Sequence, residues 1–318
     1  MTPSLPTAPV GNTALRITRL GLGTAPIANL YSTVTEAQAI ETVQRSFESG
    51  VRYFDTAPLY GRGVAEERIG VALRGVPRDQ FVLQTKVGGL VREDGSFEYD
   101  YSRDGVLRSF EESLKRLQMD RVDILLVHES NVLMEEAGLQ QAINEAFPAL
   151  IELREQGVIG ALGAGTNQWE MEWEFARHSD PNIFLLAGRY TLLEQTSLGF
   201  LDYCQHRAIS VVLGGVYNSG ILVSGPTADA KFNYRTASEP ILKKTRQLKA
   251  ITDRHSVPLH VAAYQFARSH PAITGLIIGS VNPSEAEDNR AIWDAEIPAQ
   301  LWVDIRAAGL VEAGSPMP

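Results

Sequence analysis

A closed (β/α)8 barrel, an α/β TIM barrel forming a single domain, is the fold class this sequence predicts, and three observations predict it. Short apolar runs that read as buried strands alternate with stretches of helical spacing along nearly the whole chain. Eight such runs can be counted. No Pro/Gly/Ser-rich linker divides the 318 residues into separate units. Strands separated by helices pair in parallel through right-handed crossovers, and eight repeats in a chain of this length suit a closed barrel better than an open doubly wound sheet.

Residues 1–12, rich in Pro, Thr and Ser, are expected to form a flexible leader, and 13–318 the barrel. The first strand is expected at Leu20–Thr24, followed by helical spacing over Thr35–Ser49 with Gly50 as its stop. Arg52–Asp55 and Phe81–Val87 read as strands two and three, and Arg103–Leu117 as the next helix. Val122–His128 is strand four; the helical stretch Gln140–Glu155 after it stops at Gly157. Ile159–Gly165, Ile183–Gly188 and Ile209–Gly215 continue the series. The longest irregular piece, Val223–Glu239, follows strand seven on the side where strand C-termini gather, which makes it a candidate lid or substrate loop. Pro258–Ser269 is helical and Ile273–Gly279 is strand eight. Pro283–Asn289 opens a last helix, with Pro early and Glu285, Glu287 and Asp288 in its first turns, as the helix dipole favours.

Composition narrows the function classes. Hydrophobic residues make up 44% and charged ones 21%, enough for a sizeable core. The formal charge is −9 and no Lys/Arg block stands out, which argues against nucleic acid and anionic membranes as partners. Cys204 is the only cysteine, so no internal disulfide can form. Met1 to Val10 lacks a basic n-region and an apolar core and is not expected to be a secretory signal, and the longest apolar runs, Val122–Val127 and Ile209–Val216, fall far short of the roughly 20 residues of a membrane span. A cytoplasmic protein acting on a small molecule, as a monomer or small homo-oligomer, is expected.

Three of the apolar runs close on, or lead into, an ionisable residue: Asp55, Lys86 and His128, with Tyr60 just past the first. In a parallel barrel these strand ends meet on one face, where such folds do chemistry. Tyrosine, with a reference pKa of about 10, is a poor proton carrier near neutrality, but a nearby ammonium favours the phenolate and a carboxylate keeps that ammonium charged and fixed. Lys86, Asp55 and Tyr60 supply that set, and His128 adds a neutral donor to orient a carbonyl or hydroxyl. Such a site transfers protons without a nucleophile, which suits hydride exchange with a bound cofactor. Taken singly, Asp55 could close a turn, Tyr60 or His128 could be packing residues, and Lys86 could be solvated or form a Schiff base. Their joint placement on one face favours the catalytic reading.

The run Phe54-Asp55-Thr56-Ala57-Pro58-Leu59-Tyr60-Gly61, the Thr85-Lys86 strand end and Leu126-Val127-His128 resemble the aldo-keto reductase superfamily, over a stretch from Leu20 to Asn289. The resemblance implies a nicotinamide dinucleotide and catalysis by Asp55, Tyr60, Lys86 and His128. Leu185 to Gln195 resembles the branch of aldose 1-dehydrogenases acting on L-fucose, L-galactose or D-threo-aldoses, which pyridoxal 4-dehydrogenases also resemble.

No Gly-x-Gly-x-x-Gly fingerprint of the dinucleotide-binding kind stands where it should: Pro26 replaces the third glycine after Gly21 and Gly23, and Gly160 to Gly165 has the wrong spacing. A barrel binds phosphate instead with the loops after strands seven and eight. Those loops contain Gly214, Gly215, Tyr217, Asn218 and Gly220, then Gly279, Ser280, Val281 and Asn282. By resemblance, Thr166 and Asn167 would hold the nicotinamide carboxamide, and Ser280, Val281, Asn282, Glu285 and Asn289 the adenosine end.

Three departures stand out. Ala187 replaces a frequent glutamine, and Gly214 replaces the aromatic that commonly stacks on the nicotinamide. Gly279 and Glu285 stand where members that use NADP usually carry Lys and Arg. A carboxylate there repels a 2′-phosphate and can accept from ribose hydroxyls, so the cofactor is expected to be NAD(P) with a leaning to NAD.

Tyr31, Trp169, Arg189 and Tyr190 are expected on the substrate side. No zinc site is expected, because Val132 stands where a second histidine would follow His128-Glu129. The activity implied is oxidation of the C1 hydroxyl of an aldose to a lactone. A pyridoxal 4-dehydrogenase or a general aldehyde or ketone reductase would share the residues. A Schiff-base lyase using Lys86 and a non-catalytic cofactor-sensing subunit are more distant alternatives.

Overall fold

Eight parallel strands close on themselves in the computed structural model, which describes residues 4–30, 32–92, 94–130 and 132–318. Strands β1 (Thr7–Pro9) and β2 (Arg16–Thr18) form an antiparallel hairpin ahead of the barrel. The barrel strands are β3 (Leu20–Gly23), β4 (Tyr53–Asp55), β5 (Val82–Val87), then β8 (Ile124–His128), β9 (Ala161–Thr166), β10 (Ile183–Ala187), β11 (Ser210–Gly214) and β14 (Ile273–Gly279). Hairpins interrupt the series twice, as β6 (Gly89–Val91) with β7 (Phe97–Tyr99), and β12 (Lys231–Phe232) with β13 (Arg235–Thr236). Each barrel strand overlaps its expected run.

Helices α1 (Glu36–Glu48), α2 (Val64–Ala72), α3 (Arg103–Leu117), α4 (Glu136–Gln141), α5 (Phe147–Glu155) and α6 (Trp169–His178) cover the first five crossovers. The chain continues through α7 (Leu198–His206), α8 (Ile221–Ser224), α9 (Glu239–Arg254), α10 (Leu259–Ala267), α11 (Pro283–Asp294) and α12 (Ala299–Ala307). Their starts follow local chemistry. Thr35, Ser102 and Asn282 accept from the backbone N–H three residues on, satisfying a donor that the first helical turn leaves open.

Residues 1–12 were expected to form a loose leader. Within them Thr7–Pro9 is paired, Val10 is fully buried, and Gly11 donates its N–H to Ser210 Oγ at 2.8 Å. The apolar pair Val10 and Ile17 explains this: both pack with Ile124, Ile183 and Val212 and stop the N-terminal end of the barrel.

Side-chain parity positions the site. In a strand alternate residues face opposite sides. Tyr53, Leu126, Leu185, Val212 and Ile277 fill the barrel interior, whereas Phe54, Leu125, Val127, Leu186 and Leu213 pack outward in the cluster beneath the helices. Two residues beyond the interior set, the next inward positions are Asp55, His128, Ala187, Gly214 and Gly279. Gly23 is level with Asp55 and Gly279, and Gly165 with His128. The C-terminal layer of the barrel therefore holds three polar side chains (Asp55, Lys86, His128) and five residues with little or no side chain. The interior is packed solid below that layer and open above it.

Candidate active site

Lys86 is only 1% exposed, and its Nζ donates to Asp55 Oδ1 at 2.7 Å and to the Thr56 carbonyl at 2.8 Å. Gly165 on β9 makes room for its stem: a Cβ there would stand 3.3 Å from Lys86 Cε. Gln84, two residues earlier and facing the same way, donates to Asp55 Oδ1 at 2.7 Å and accepts from Tyr53 at 2.7 Å. Asp55 is thus aimed by two donors. Burial lowers the Lys86 pKa from its ordinary value, and the Asp55 charge and hydrogen bond oppose that fall. This pairing keeps an ammonium in an apolar wall.

Tyr60 comes from the loop after β4, turned by a hydrogen bond from its N–H to the Ala57 carbonyl at 3.1 Å. Gly61 is required beside it: its φ is +61°, and a Cβ there would come within 2.7 Å of the Ala28 carbonyl oxygen. Lys86 Nζ lies 4.7 Å from the Tyr60 ring centroid, and the His128 ring stands edge-on to Tyr60 at 5.9 Å. The four residues expected to act together are brought together.

His128 is buried, and burial first, then the Lys86 charge, push its pKa well below the ordinary 6.5. It is therefore a neutral imidazole at physiological pH. Among the described residues its Nδ1 is buried without a hydrogen-bond partner, and the Tyr101 hydroxyl holds its carbonyl at 2.7 Å. As pH falls through 6.5 the unfolded chain takes up a proton at this residue while the folded chain does not, so stability is lost on acidification. Replacing His128 by Asn is expected to flatten urea-unfolding free energy between pH 7 and 5.5 relative to wild type. An unchanged slope would mean that this histidine titrates alike in both states.

A cavity of about 590 Å³ opens beside Asp55 and Tyr60, whereas Lys86 and His128 are not among the residues that line it. Gly214, Gly215, Tyr217 and Gly220 line it as well, together with Gly23 and Gly279. The loop after β11 and the end of β14 therefore border the same space as Asp55 and Tyr60, while Ser280, Val281 and Asn282 do not line it. Glycines are needed there: a Cβ on Gly279 would meet the Pro26 ring at 2.5 Å and one on Gly23 would meet Ile277 at 2.8 Å. A trough with backbone walls beside a proton-transfer site fits a dinucleotide.

Thr166 ends β9, and its hydroxyl donates to the Gln168 carbonyl at 2.9 Å and accepts from the Gln168 N–H at 3.1 Å. Asn218 is buried, and its amide donates to Glu194 at 2.9 Å, so the side chain serves the loop rather than the cavity. Ser280 accepts from Asn289 at 3.0 Å. Glu285 accepts from the Val281 N–H at 2.9 Å and from Asn282 Nδ2 at 3.1 Å, completing a cap on α11.

On the substrate side, Tyr190 needs correction. It is fully buried, stacked on Phe266 at 5.3 Å and edge-on to His270, in the outer helical layer. Gly188 and Arg189, both with positive φ, turn the chain away from the cavity just before it. Trp169 opens α6 and packs on Trp173 at 5.6 Å. Arg189 Nε donates to the Asn167 carbonyl at 2.8 Å, and Arg189 is not among the residues lining the cavity. Tyr31 lies outside the described residues. Lys231 and Tyr234, from the β12–β13 hairpin, line the cavity instead. They fall inside the stretch expected as a lid, but pattern alone did not single them out. Asn233 and Tyr234 both take left-handed φ, the geometry of a tight hairpin turn.

Among the described residues no His, Cys, Asp and Glu group could hold a metal, and no helix is long and apolar enough to cross a membrane. An eight-stranded parallel barrel, a buried Asp–Lys pair under a tyrosine, a neutral histidine and a glycine trough define a cofactor-dependent oxidoreductase site. The family comparison agrees: the Aldo/keto reductase family model matches residues 19–309, and the chain belongs to that family. The family uses NAD(P)H. This chain is 36% identical to a pyridoxal 4-dehydrogenase from Microbacterium luteolum, over 95% of this chain and 97% of that one. A D-threo-aldose 1-dehydrogenase from a Pseudomonas species is 34% identical, over 93% and 95%. Among solved structures, an aldo-keto reductase from Bacillus halodurans in its holo form superposes with a TM-score of 0.81, at 25% identity over 98% of this chain and 97% of that one.

Proposed function

We propose that this enzyme oxidises the C1 hydroxyl of an aldose to the corresponding lactone, with NAD as the favoured cofactor. The observation that carries the reading is the buried Lys86–Asp55 pair set 4.7 Å from the Tyr60 ring at the mouth of a mostly apolar cavity. The Lys86 ammonium favours a phenolate at Tyr60, which takes the proton of the sugar hydroxyl. Asp55 keeps that ammonium charged and in place. His128, neutral throughout, hydrogen-bonds the reacting oxygen without competing for the proton. A bound nicotinamide supplies the two-electron acceptor. In the reducing direction Tyr60 returns the proton.

The relative named for pyridoxal favours a second reading of the same site. Aldoses and pyridoxal share one chemistry: an aldehyde with a hydroxyl of its own that can close a cyclic hemiacetal, whose oxidation gives a lactone. A steady-state panel of L-fucose, L-galactose, D-arabinose and pyridoxal, run in both directions, tests both. Turnover confined to open-chain aldehydes or ketones would replace them with a general reductase.

Two features support NAD. The Glu285 carboxylate occupies the α11 N-terminus, where a 2′-phosphate would otherwise find backbone donors. The Pro26 ring, 2.5 Å from any Cβ at position 279, leaves no room for a lysine there. Replacing Glu285 by Ala is expected to raise kcat/KM with NADP relative to NAD by about tenfold, the scale of one charge contact. A wild type that already prefers NADP strongly would refute the cofactor assignment.

A further inference from the structure

Glu129 stands one residue past His128, at the C-terminal end of β8. Its Oε2 accepts the Asn167 N–H at 2.6 Å, and its Oε1 accepts from the Asn167 side-chain amide. The Asn167 carbonyl in turn accepts from Arg189 Nε at 2.8 Å, and Arg189, held at φ 64°, faces Glu194 at 3.5 Å. Three of the four polar groups of Asn167 are thereby committed. Among the described residues, nothing engages its side-chain oxygen Oδ1.

A carboxylate only accepts, so the Asn167 NH2 must face Glu129 and the oxygen must face the other way. The strand beside it offers no replacement partner, since Leu186 pairs with Thr166 and the next residue is Ala187. Burial raises the Glu129 pKa from its ordinary value, while the two Asn167 donors and the Arg189 charge hold it down. A half-buried carboxylate satisfied mainly by one residue is a device for orienting that residue.

We propose that Glu129 is a positioning residue that locks the Asn167 amide with its oxygen toward the nicotinamide site, so that this chain reads the cofactor's carboxamide through its NH2 group. This rests on the nicotinamide reading above. It also accounts for Ala187: with Asn167 locked, one acceptor suffices.

The test compares dissociation constants, by tryptophan-fluorescence quenching, for NAD, ADP-ribose and 3-acetylpyridine adenine dinucleotide, in which a methyl replaces the carboxamide NH2. Wild type is expected to bind NAD about tenfold more tightly than the acetyl analogue, the scale of one hydrogen bond. Glu129→Gln keeps the size and one acceptor but turns a donor toward Asn167, which lets that amide rotate. Its ratio is expected to fall to about one, as in Glu129→Ala, while ADP-ribose binds all three proteins alike. A ratio in Glu129→Gln equal to wild type overturns the proposal, as does ADP-ribose weakening in step with NAD, which would mark a merely structural role. A wild type that binds neither NAD nor ADP-ribose removes the nicotinamide reading itself, a result distinct from an unchanged ratio.

Discussion

Tyr60→Phe is expected to lower kcat by about 10²–10⁴-fold, the range lost when a positioned proton carrier is removed. Cofactor binding should stay within about twofold of wild type, because the phosphate loops and the Glu129–Asn167 contact lie on other strands. The ring itself remains, with its edge-on contact to His128 and its place beside Lys86, so the variant should fold with a melting temperature near that of wild type. Stopped-flow kinetics with the best sugar of the panel, together with cofactor titration, separates the two effects. Near-native turnover in this variant would show that another group carries the proton.

Lys86→Met should cost both activity and stability, for one reason. Asp55 is buried with Lys86 Nζ at 2.7 Å and loses that partner, keeping the neutral Gln84 amide. Breaking a buried ion pair from one side typically costs about 3–5 kcal/mol, because a charge is left uncompensated. Combining it with Asp55→Asn should recover much of that loss, since no charge then remains to be stranded. Activity should not recover, because neither variant supplies a cation beside Tyr60. Urea titrations of the two single variants and the double one provide the cycle. Strict additivity would show that the pair is not coupled, contrary to the geometry.

Much of the fold was legible because its signals are local and repeated. An apolar run bounded by polar residues reads as a strand, and eight of them separated by helical spacing leave few alternatives to a barrel. The catalytic four were legible because three sit at strand ends, where topology brings distant positions together. Parity along a strand would also have pointed to Gln84, two residues before Lys86. What stayed hidden depends on how the chain turns. Tyr190 follows strand β10 by three residues, but the left-handed pair Gly188 and Arg189 sends it outward to Phe266. Trp169 is drawn into the helical layer by Trp173, four residues on. Glu129 carries no motif; its partner is 38 residues away and meets it only through the pairing of β8 and β9. The hairpin carrying Lys231 and Tyr234 has strands of two residues each, too short for any periodicity to register.

The ring of Gly23, Gly165, Ala187, Gly214 and Gly279 around the mouth has a bearing on how such a protein can change over time. A position with no side chain can gain atoms and has almost none to lose. Single substitutions there narrow the vestibule, and at Gly23 or Gly279 they collide with Ile277 or Pro26 at once. New tolerance for bulkier reactants must come from the surrounding loops, whose residues can still be trimmed. The scaffold therefore resists drift at its centre and leaves diversification to its periphery.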